Sequence, residues 1–217
     1  MRKISRKYYF SVEGDTEFWY LQRLAALINE DSSGSQCRVS FDVKVEKNPM
    51  KRVRGLSIIG KTDIWHFCDY ESDAPEHDKA FHETMDCMKQ AMQSGKQVKY
   101  HLGYSNLSFD LWIILHKVDC FGVKADRSQY LSEVNQAFGK QYQNMDQYKS
   151  YDNFKECLMQ IKLPEVRAAI GRAKTIATRN EKSGHRLLSY RGFSYYRENP
   201  SLSVWEVVEA LLSDCGL

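Results

Sequence analysis

The sequence lacks several features that would each assign a function at once. It has no P-loop pattern, GxxxxGK[ST], so we do not expect the chain itself to be an ATPase. No apolar run approaches the roughly 18 residues that a membrane-spanning helix needs, so we expect no membrane association. Its six cysteines are scattered, and no two of them form a CxxC pair. We therefore expect free, mostly buried thiols rather than a zinc site.

The basic N-terminus is followed by an apolar stretch that is too short for a signal peptide and is interrupted by Glu13. We therefore expect the protein in the cytoplasm, where a disulfide framework would not form. The chain has 217 residues, of which 42% are hydrophobic and 27% are charged. These values indicate a globular protein with one large domain, or with a domain and a substantial appendage.

The net charge of +3 is small but unevenly distributed along the chain. Residues 162–198 contain nine Lys or Arg and three Glu, which gives this stretch a net charge of +6. Such a region suggests a polyanionic partner, RNA or DNA, although a solvated helix face has the same composition. Residues 189–197 interleave aromatic residues with arginines, as both base-stacking surfaces and protein interfaces do. The candidate nucleic-acid contacts are Arg172, Arg179, Arg186, Arg191 and Arg197, with a second cluster of Lys51, Arg52 and Arg54.

Acidic residues follow two short apolar runs, at the points where strands should end. Glu13 follows YYFSV, and Asp69 follows IWHFC with Glu71 and Asp73 close behind. Ligands and catalytic groups gather at the carboxyl ends of strands in α/β sheets. Carboxylates that meet there repel one another unless a hard cation neutralises them, and Mg²⁺ favours such oxygen sites. We predict that Glu13 and Asp69 share Mg²⁺ or Mn²⁺, with Glu71 or Asp73 completing the cluster. The alternative is that these acids only cap helices or lie in loops.

Strand and helix patterns alternate over the first 120 residues and then give way to helices. We predict an α/β core over residues 1–120, with a mixed or parallel sheet covered on both faces, and a mostly helical region over 121–217 packed on it. The run 109–116 is apolar all round and fits a buried helix or a strand, and a turn is expected at 103–106. The predicted strands are 7–12, 38–45, 62–68 and 98–102, and the predicted helices are 17–29, 76–92, 128–138, 151–160, 164–178 and 201–213.

Four segments, taken together and in this order, resemble the RloB family. They are VEGDTE at 12–17, DYESD at 69–73, SNLSFDLWIILH at 105–116 and NPSLSV at 199–204. An Ala-Lys pair that ends at Lys174 resembles the helix that precedes the closing family motif. The chain departs from the family pattern in four ways: Leu107 stands where the family prefers proline, Asp110 where it prefers glutamate, Glu71 where its D-x-D has the second aspartate, and Leu202 where it has threonine.

The resemblance implies a Toprim-like, Rossmann-type core of the kind found in topoisomerases, primases and OLD-type nucleases. It also implies a role in bacterial defence against phage or foreign DNA, often beside an ATPase partner. In such a site Glu13 is a metal ligand or a general acid/base, and Asp69 and Glu71 are paired metal ligands. Mg²⁺ there stabilises the charge that builds on the phosphoryl oxygens.

Further residues of these segments are candidates of a second tier. Asp110 lies among apolar residues, where a carboxylate needs a partner or a cation. His116 could orient a phosphate or transfer a proton, but a hydrogen-bonded core histidine would have the same pattern. Ser105 and Asn106 could belong to the site or cap a helix, and Lys174 could contact phosphate or be solvated.

Two functions of different classes fit these observations. The first is a metal-dependent nuclease that acts on RNA or DNA in anti-phage or restriction-linked defence. The second is a non-catalytic sensor or scaffold that works with a partner ATPase or toxin, since a fold does not settle a function. An enzyme requires Glu13, Asp69 and a third acid within reach of one cation, whereas a scaffold does not. The sequence leaves the oligomeric state open.

Overall fold

The computed structural model describes residues 3–32 and 34–217. Within these ranges, four strands form one parallel sheet in the order β2-β1-β3-β4, and a separate antiparallel hairpin pairs β5 with β6. The strands are β1 (Ile4–Val12), β2 (Cys37–Val45), β3 (Thr62–Tyr70), β4 (Val98–Asn106), β5 (Leu188–Tyr190) and β6 (Phe193–Tyr195). The helices are α1 (Asp15–Glu30), α2 (Pro49–Arg54), α3 (Pro75–Met92), α4 (Asp110–Leu115), α5 (Tyr130–Phe138), α6 (Met145–Lys149), α7 (Tyr151–Met159), α8 (Leu163–Lys182) and α9 (Val204–Asp214), with a 3-10 turn at Arg127–Gln129.

The parallel sheet confirms the predicted α/β fold. β1 and β3 are direct neighbours in register, from Tyr9 opposite Ile64 to Val12 opposite Phe67. Because parallel strands end on the same side of a sheet, the residues that follow Val12 and Phe67 meet at one edge. This register brings Glu13 and Asp69 together.

The sheet is covered on both faces, and alternate side chains of each strand enter different cores. The face that carries Phe10 and Phe67 packs against α1, α4 and the helices from α5 to α9. The face that carries Ile64 and Tyr70 packs against α2, α3 and the hairpin of β5 and β6. The helices after residue 120 therefore share one core with α1 and the sheet.

Three local expectations were wrong. β4 continues through 103–106, where a turn was predicted, because residues 201–203 pair with its outer edge: Tyr104 N–H donates to Ser203 Oγ at 3.1 Å, and Asn106 N–H donates to the Ser201 carbonyl at 2.9 Å. The basic connection after β2 contains the helix α2, and α6 was not predicted. Among the described residues, no helix is both long and apolar enough to cross a membrane.

Candidate functional site

Glu13 and Asp69 lie side by side at the carboxyl edge of the sheet. One carboxylate oxygen of Glu13 accepts a hydrogen bond from the backbone N–H of Asp69 at 3.2 Å. Both side chains are partly buried. Burial raises the pKa of Glu13, and the nearby charge of Glu71 raises it further, while the Asp69 N–H and Lys47 act in the opposite direction.

The charges of two further acids, Glu17 and Asp110, also act on Asp69. Glu17, in the first turn of α1, is 4% exposed, and Asp110, in the first turn of α4, is fully buried. Burial raises the pKa of Asp69 well above its ordinary range, and the charges of Glu17, Glu13 and Asp110 raise it further. Mutual repulsion of this kind indicates a site that needs positive charge.

Lys149 supplies positive charge to this cluster from the end of α6. Its ammonium lies 2.8 Å from Asp110 Oδ2. Although burial disfavours the ammonium, Asp110 raises the pKa of Lys149, and Asp69 and Glu17 add to the effect. The lysine therefore remains charged.

Sequence reasoning missed both Glu17 and Lys149 as site residues. Glu17 could have been predicted, because it lies four residues after Glu13 in the same motif. The first turn of the helix that follows brings its side chain back towards the strand end. Lys149 gave no signal, because it lies 80 residues after Asp69 on the short helix α6, which was not predicted.

A pocket of about 210 Å³ opens beside Glu13 and Asp69. Its remaining lining residues are Lys47, Glu71, His77, Ala80, Phe81 and Thr84. Within it, Glu71 lies 3.3 Å from His77 Nε2, and the other ring nitrogen of His77 lies 2.7 Å from Ser72 Oγ. Asp73 is exposed and does not line the pocket. A wider groove of about 740 Å³ beside the outer edge of β4 contains none of the clustered acids.

The oxygen atoms of this cluster suit a hard divalent cation, but they do not surround one point. In the described parts of the chain, no three His, Cys, Asp or Glu side chains are arranged as metal ligands. Glu13 faces the Asp69 N–H, Glu17 accepts from Thr16 Oγ1 at 2.9 Å, and Asp110 pairs with Lys149. The donor chemistry still fits, because Mg²⁺ commonly takes one or two carboxylates and completes its shell with water.

The remaining candidates of the 105–116 segment lie in the core. His116 Nδ1 lies 2.9 Å from the Trp112 carbonyl oxygen, and burial lowers the pKa of His116 to about 4. Asn106 donates to the Arg197 carbonyl at 3.2 Å and so holds the chain that follows the hairpin. Ser105 is fully buried in β4. These positions favour a structural role for His116 and Asn106.

Several of the candidate basic contacts are paired with acids of the chain itself. Arg52 is 7% exposed and donates to Asp42 at 2.7 Å, so it is part of the fold rather than the surface. Four others form ion pairs: Arg172 with Asp119, Lys174 with Glu209, Arg191 with Asp86 and Arg197 with Asp78. The candidates that are exposed and have no ion-pair partner among the described residues are Lys51, Arg54, Arg179 and Arg186.

Comparison with known proteins gives one finding. A family profile described as "RloB-like protein" matches residues 8–211, nearly the whole chain. The matched range contains all four acids of the cluster and Lys149. Neither the curated proteins nor the solved structures gave a match.

Proposed function

Because this chain belongs to the RloB-like family, we propose that it is a metal-dependent nuclease that cleaves RNA or DNA in anti-phage or restriction-linked defence. The observation that supports this proposal most is the contact between Glu13 and the Asp69 N–H at 3.2 Å. Two strand-end acids lie together there beside an open pocket, with two buried acids behind them. Such pairs suit phosphodiester chemistry because the reaction builds negative charge that a bound cation can offset.

In this proposal Glu13, Asp69 and Glu71 hold Mg²⁺ or Mn²⁺, and Glu17 takes the place that we first considered for Asp73. When bound, the ion would stabilise charge on the phosphoryl oxygens and lower the pKa of a bound water. If Glu13 acts as the general base rather than as a metal ligand, it would accept the proton of the attacking water, and burial raises its pKa above the ordinary value. Lys47 and His77 line the same pocket and would face the phosphate.

The test is a cleavage assay with tRNA, single-stranded RNA and plasmid DNA, each with Mg²⁺, with Mn²⁺ and with chelator. We expect cleavage that chelator stops, and its loss in Glu13→Gln and Asp69→Asn. The matched control is Asp73→Asn, which removes an exposed acid outside the pocket and should keep full activity. Cleavage that survives in Glu13→Gln or Asp69→Asn would place the chemistry elsewhere.

The scaffold function remains the second candidate, and two observations favour it. Among the described residues the acids do not converge as metal ligands do, and four of the candidate basic contacts are already in ion pairs. A scaffold would show neither cleavage nor salt-sensitive binding of nucleic acid, with divalent ions and a partner ATPase present. It would instead bind that ATPase, which pull-down with the purified partner would detect.

A further inference from the structure

Behind Asp69, the buried carboxylate of Asp110 forms an ion pair with Lys149, whose side chain is one third exposed. Asp110 is fully buried, and its Oδ2 atom accepts from Lys149 and from Ser108 Oγ. The ammonium of Lys149 is the counter-charge of Asp110, and it also acts on Asp69 and Glu17. One lysine therefore stands opposite three acids.

Among the described residues, several buried oxygen atoms at and near Asp110 have no hydrogen-bond partner. The second carboxylate oxygen of Asp110 and the hydroxyls of Tyr130 and Tyr148 are buried and have no hydrogen-bond partner among the described residues. Both tyrosines lie near Asp110: burial is the largest cause of the raised pKa of each, and the charge of Asp110 also raises both, after that of Cys120 for Tyr130. Buried polar atoms nearly always have partners, so an unpartnered oxygen of Asp110 with two unpartnered tyrosine hydroxyls near it indicates a place for a cation and its water.

We propose that Lys149 fills a cation position of the acid cluster with its own ammonium, so that the chain supplies a charge that a second divalent ion would otherwise supply. This inference rests on the cation-binding role proposed above for the cluster. The geometry fits because an ammonium is a compact charge that donates to oxygen, as a hydrated divalent ion does. Without Lys149, Asp110 would be a buried and unpaired carboxylate beside two other acids, and a hard cation would relieve it.

The experiment counts Mn²⁺ per chain by isothermal titration calorimetry, with electron paramagnetic resonance as a second readout. We expect Lys149→Ala to bind one Mn²⁺ more than the wild-type chain. The double variant Lys149→Ala with Asp110→Asn should lose this extra ion, because the carboxylate that would hold it is gone. The matched control is Lys140→Ala, which breaks an ion pair with the largely exposed Glu156 and should bind as the wild type does.

The test compares the number of Mn²⁺ ions bound by Lys149→Ala with the number bound by the wild type. This difference does not depend on whether the protein cleaves nucleic acid. Wild-type protein that binds no Mn²⁺ and cleaves nothing argues against the proposed function, whereas equal Mn²⁺ counts in wild type and Lys149→Ala overturn the role of Lys149. If Lys149→Ala unfolds in metal-free buffer, recovery of its melting transition in Mn²⁺ supports the inference. Failure to recover in Mn²⁺ overturns it.

Discussion

At Asp69 the proposed metal-binding role requires a carboxylate, whereas the stability of the fold would favour a neutral side chain. Its carboxylate lies near Glu13, Glu17 and Asp110, and burial and these charges raise its pKa well above the ordinary value. The folded state thus disfavours the charged form, and the penalty grows as the pH rises above about 4, where the unfolded chain ionises. Asp69→Asn should therefore raise the free energy of unfolding by on the order of 1 kcal/mol near neutral pH, and the proposed function predicts that it also abolishes cleavage.

Thermal melting in chelator, from pH 4 to pH 8, checks this prediction. The melting temperatures of Asp69→Asn and wild type should converge near pH 4 and separate as the pH rises, by roughly 2–4 °C per kcal/mol for a chain of this size. If the proposed metal site is right, added Mg²⁺ should raise the wild-type Tm more than that of Asp69→Asn, because the ion would bind the folded carboxylate. A variant that is less stable than wild type at pH 8 would contradict the prediction.

His66 gives the stability a pH dependence of the opposite sign. It is fully buried in β3 opposite Ser11 of β1, its Nδ1 lies 2.7 Å from Ser11 Oγ, and burial lowers its pKa to about 4. The unfolded chain takes up this proton near pH 6.5, so folding stability falls as the pH drops from about 6.5 to 4, by roughly 3 kcal/mol in all. His116 has the same shift for the same reason.

Urea unfolding at pH 7 and pH 5 measures this effect. We expect His66→Gln to be less stable than wild type at pH 7, because its fit against Ser11 is lost, but to lose less stability between the two pH values. The matched control is His101→Gln, which removes a histidine that is partly exposed beside Asp63. Parallel pH dependences in wild type and His66→Gln would contradict the assignment.

Glu13 and Asp69 illustrate what residue-level reasoning could predict. Their adjacency followed from two apolar runs that each end in an acid, because parallel strands bring such ends together. Glu17 and Lys149 depend on helices that return to the same point, and Lys149 on the unpredicted α6. Sequence spacing alone does not encode such a distance across the fold.

The junction between β4 and α4 leads directly to Asp110, the first residue of α4. Leu107 adopts a positive φ of 61° there, and its backbone N–H donates to the Tyr70 carbonyl at 2.8 Å. Proline, which the family prefers at this position, has φ near −65° and no N–H. The conformation of this junction is therefore incompatible with proline at position 107.

We expect Leu107→Pro to reduce the free energy of unfolding by about 2 kcal/mol or more, because it removes a hydrogen bond and forces a different backbone angle. The control Leu107→Ala keeps the N–H and removes only the packing of a side chain that is 8% exposed. Urea unfolding of both variants at pH 7 measures the difference. Equal stability of Leu107→Pro and wild type would show that this junction can take the conformation of the family.

Gly103 in β4 leaves room for the ring of Phe67 in the neighbouring strand β3. A Cβ atom at this position would lie 2.6 Å from the ring of Phe67, which is fully buried. Gly103→Ala should therefore destabilise the fold by about 1–3 kcal/mol through overpacking. Gly171→Ala is the matched control, because it lies in α8 with open space around it and should stabilise the helix by up to about 1 kcal/mol.

Thermal melting followed by circular dichroism compares the Tm values of the two glycine variants with that of the wild type. If Gly103→Ala raises Tm as Gly171→Ala does, the contact with Phe67 does not require glycine in β4. The sequence did not predict this constraint, because the 103–106 segment resembled a turn. The strand continues because the 201–203 segment, about a hundred residues later, pairs with it.

At the scale of the whole molecule, fewer basic side chains are available to bind a polyanion than the composition suggests. The basic stretch at 162–198 was predicted from sequence, but its partners were not, because they lie on distant elements. Asp78 and Asp86 on α3 hold Arg197 and Arg191 of the hairpin region, and Tyr190 donates to Asp86 at 3.1 Å. These contacts fasten the hairpin to α3 and neutralise part of the basic surface.

If the proposed function is right, nucleic acid should bind through exposed cations that have no ion-pair partner among the described residues. Lys51 and Arg54 on α2 have no ion-pair partner among the described residues, and α2 begins two residues after Lys47, which lines the pocket. Removing both with Lys51→Ala and Arg54→Ala should weaken binding and reduce the dependence of log K on log salt by about 0.7–0.9 per lost phosphate contact. The paired residues Arg172 and Lys174 are the matched control, and their double alanine variant should change the slope little.

Fluorescence anisotropy with labelled single-stranded RNA and duplex DNA, from 50 to about 300 mM salt, measures both slopes. If the control variant loses as much slope as the α2 variant, the polyanion lies against α8 instead, and the ion pairs with Asp119 and Glu209 must open when it binds.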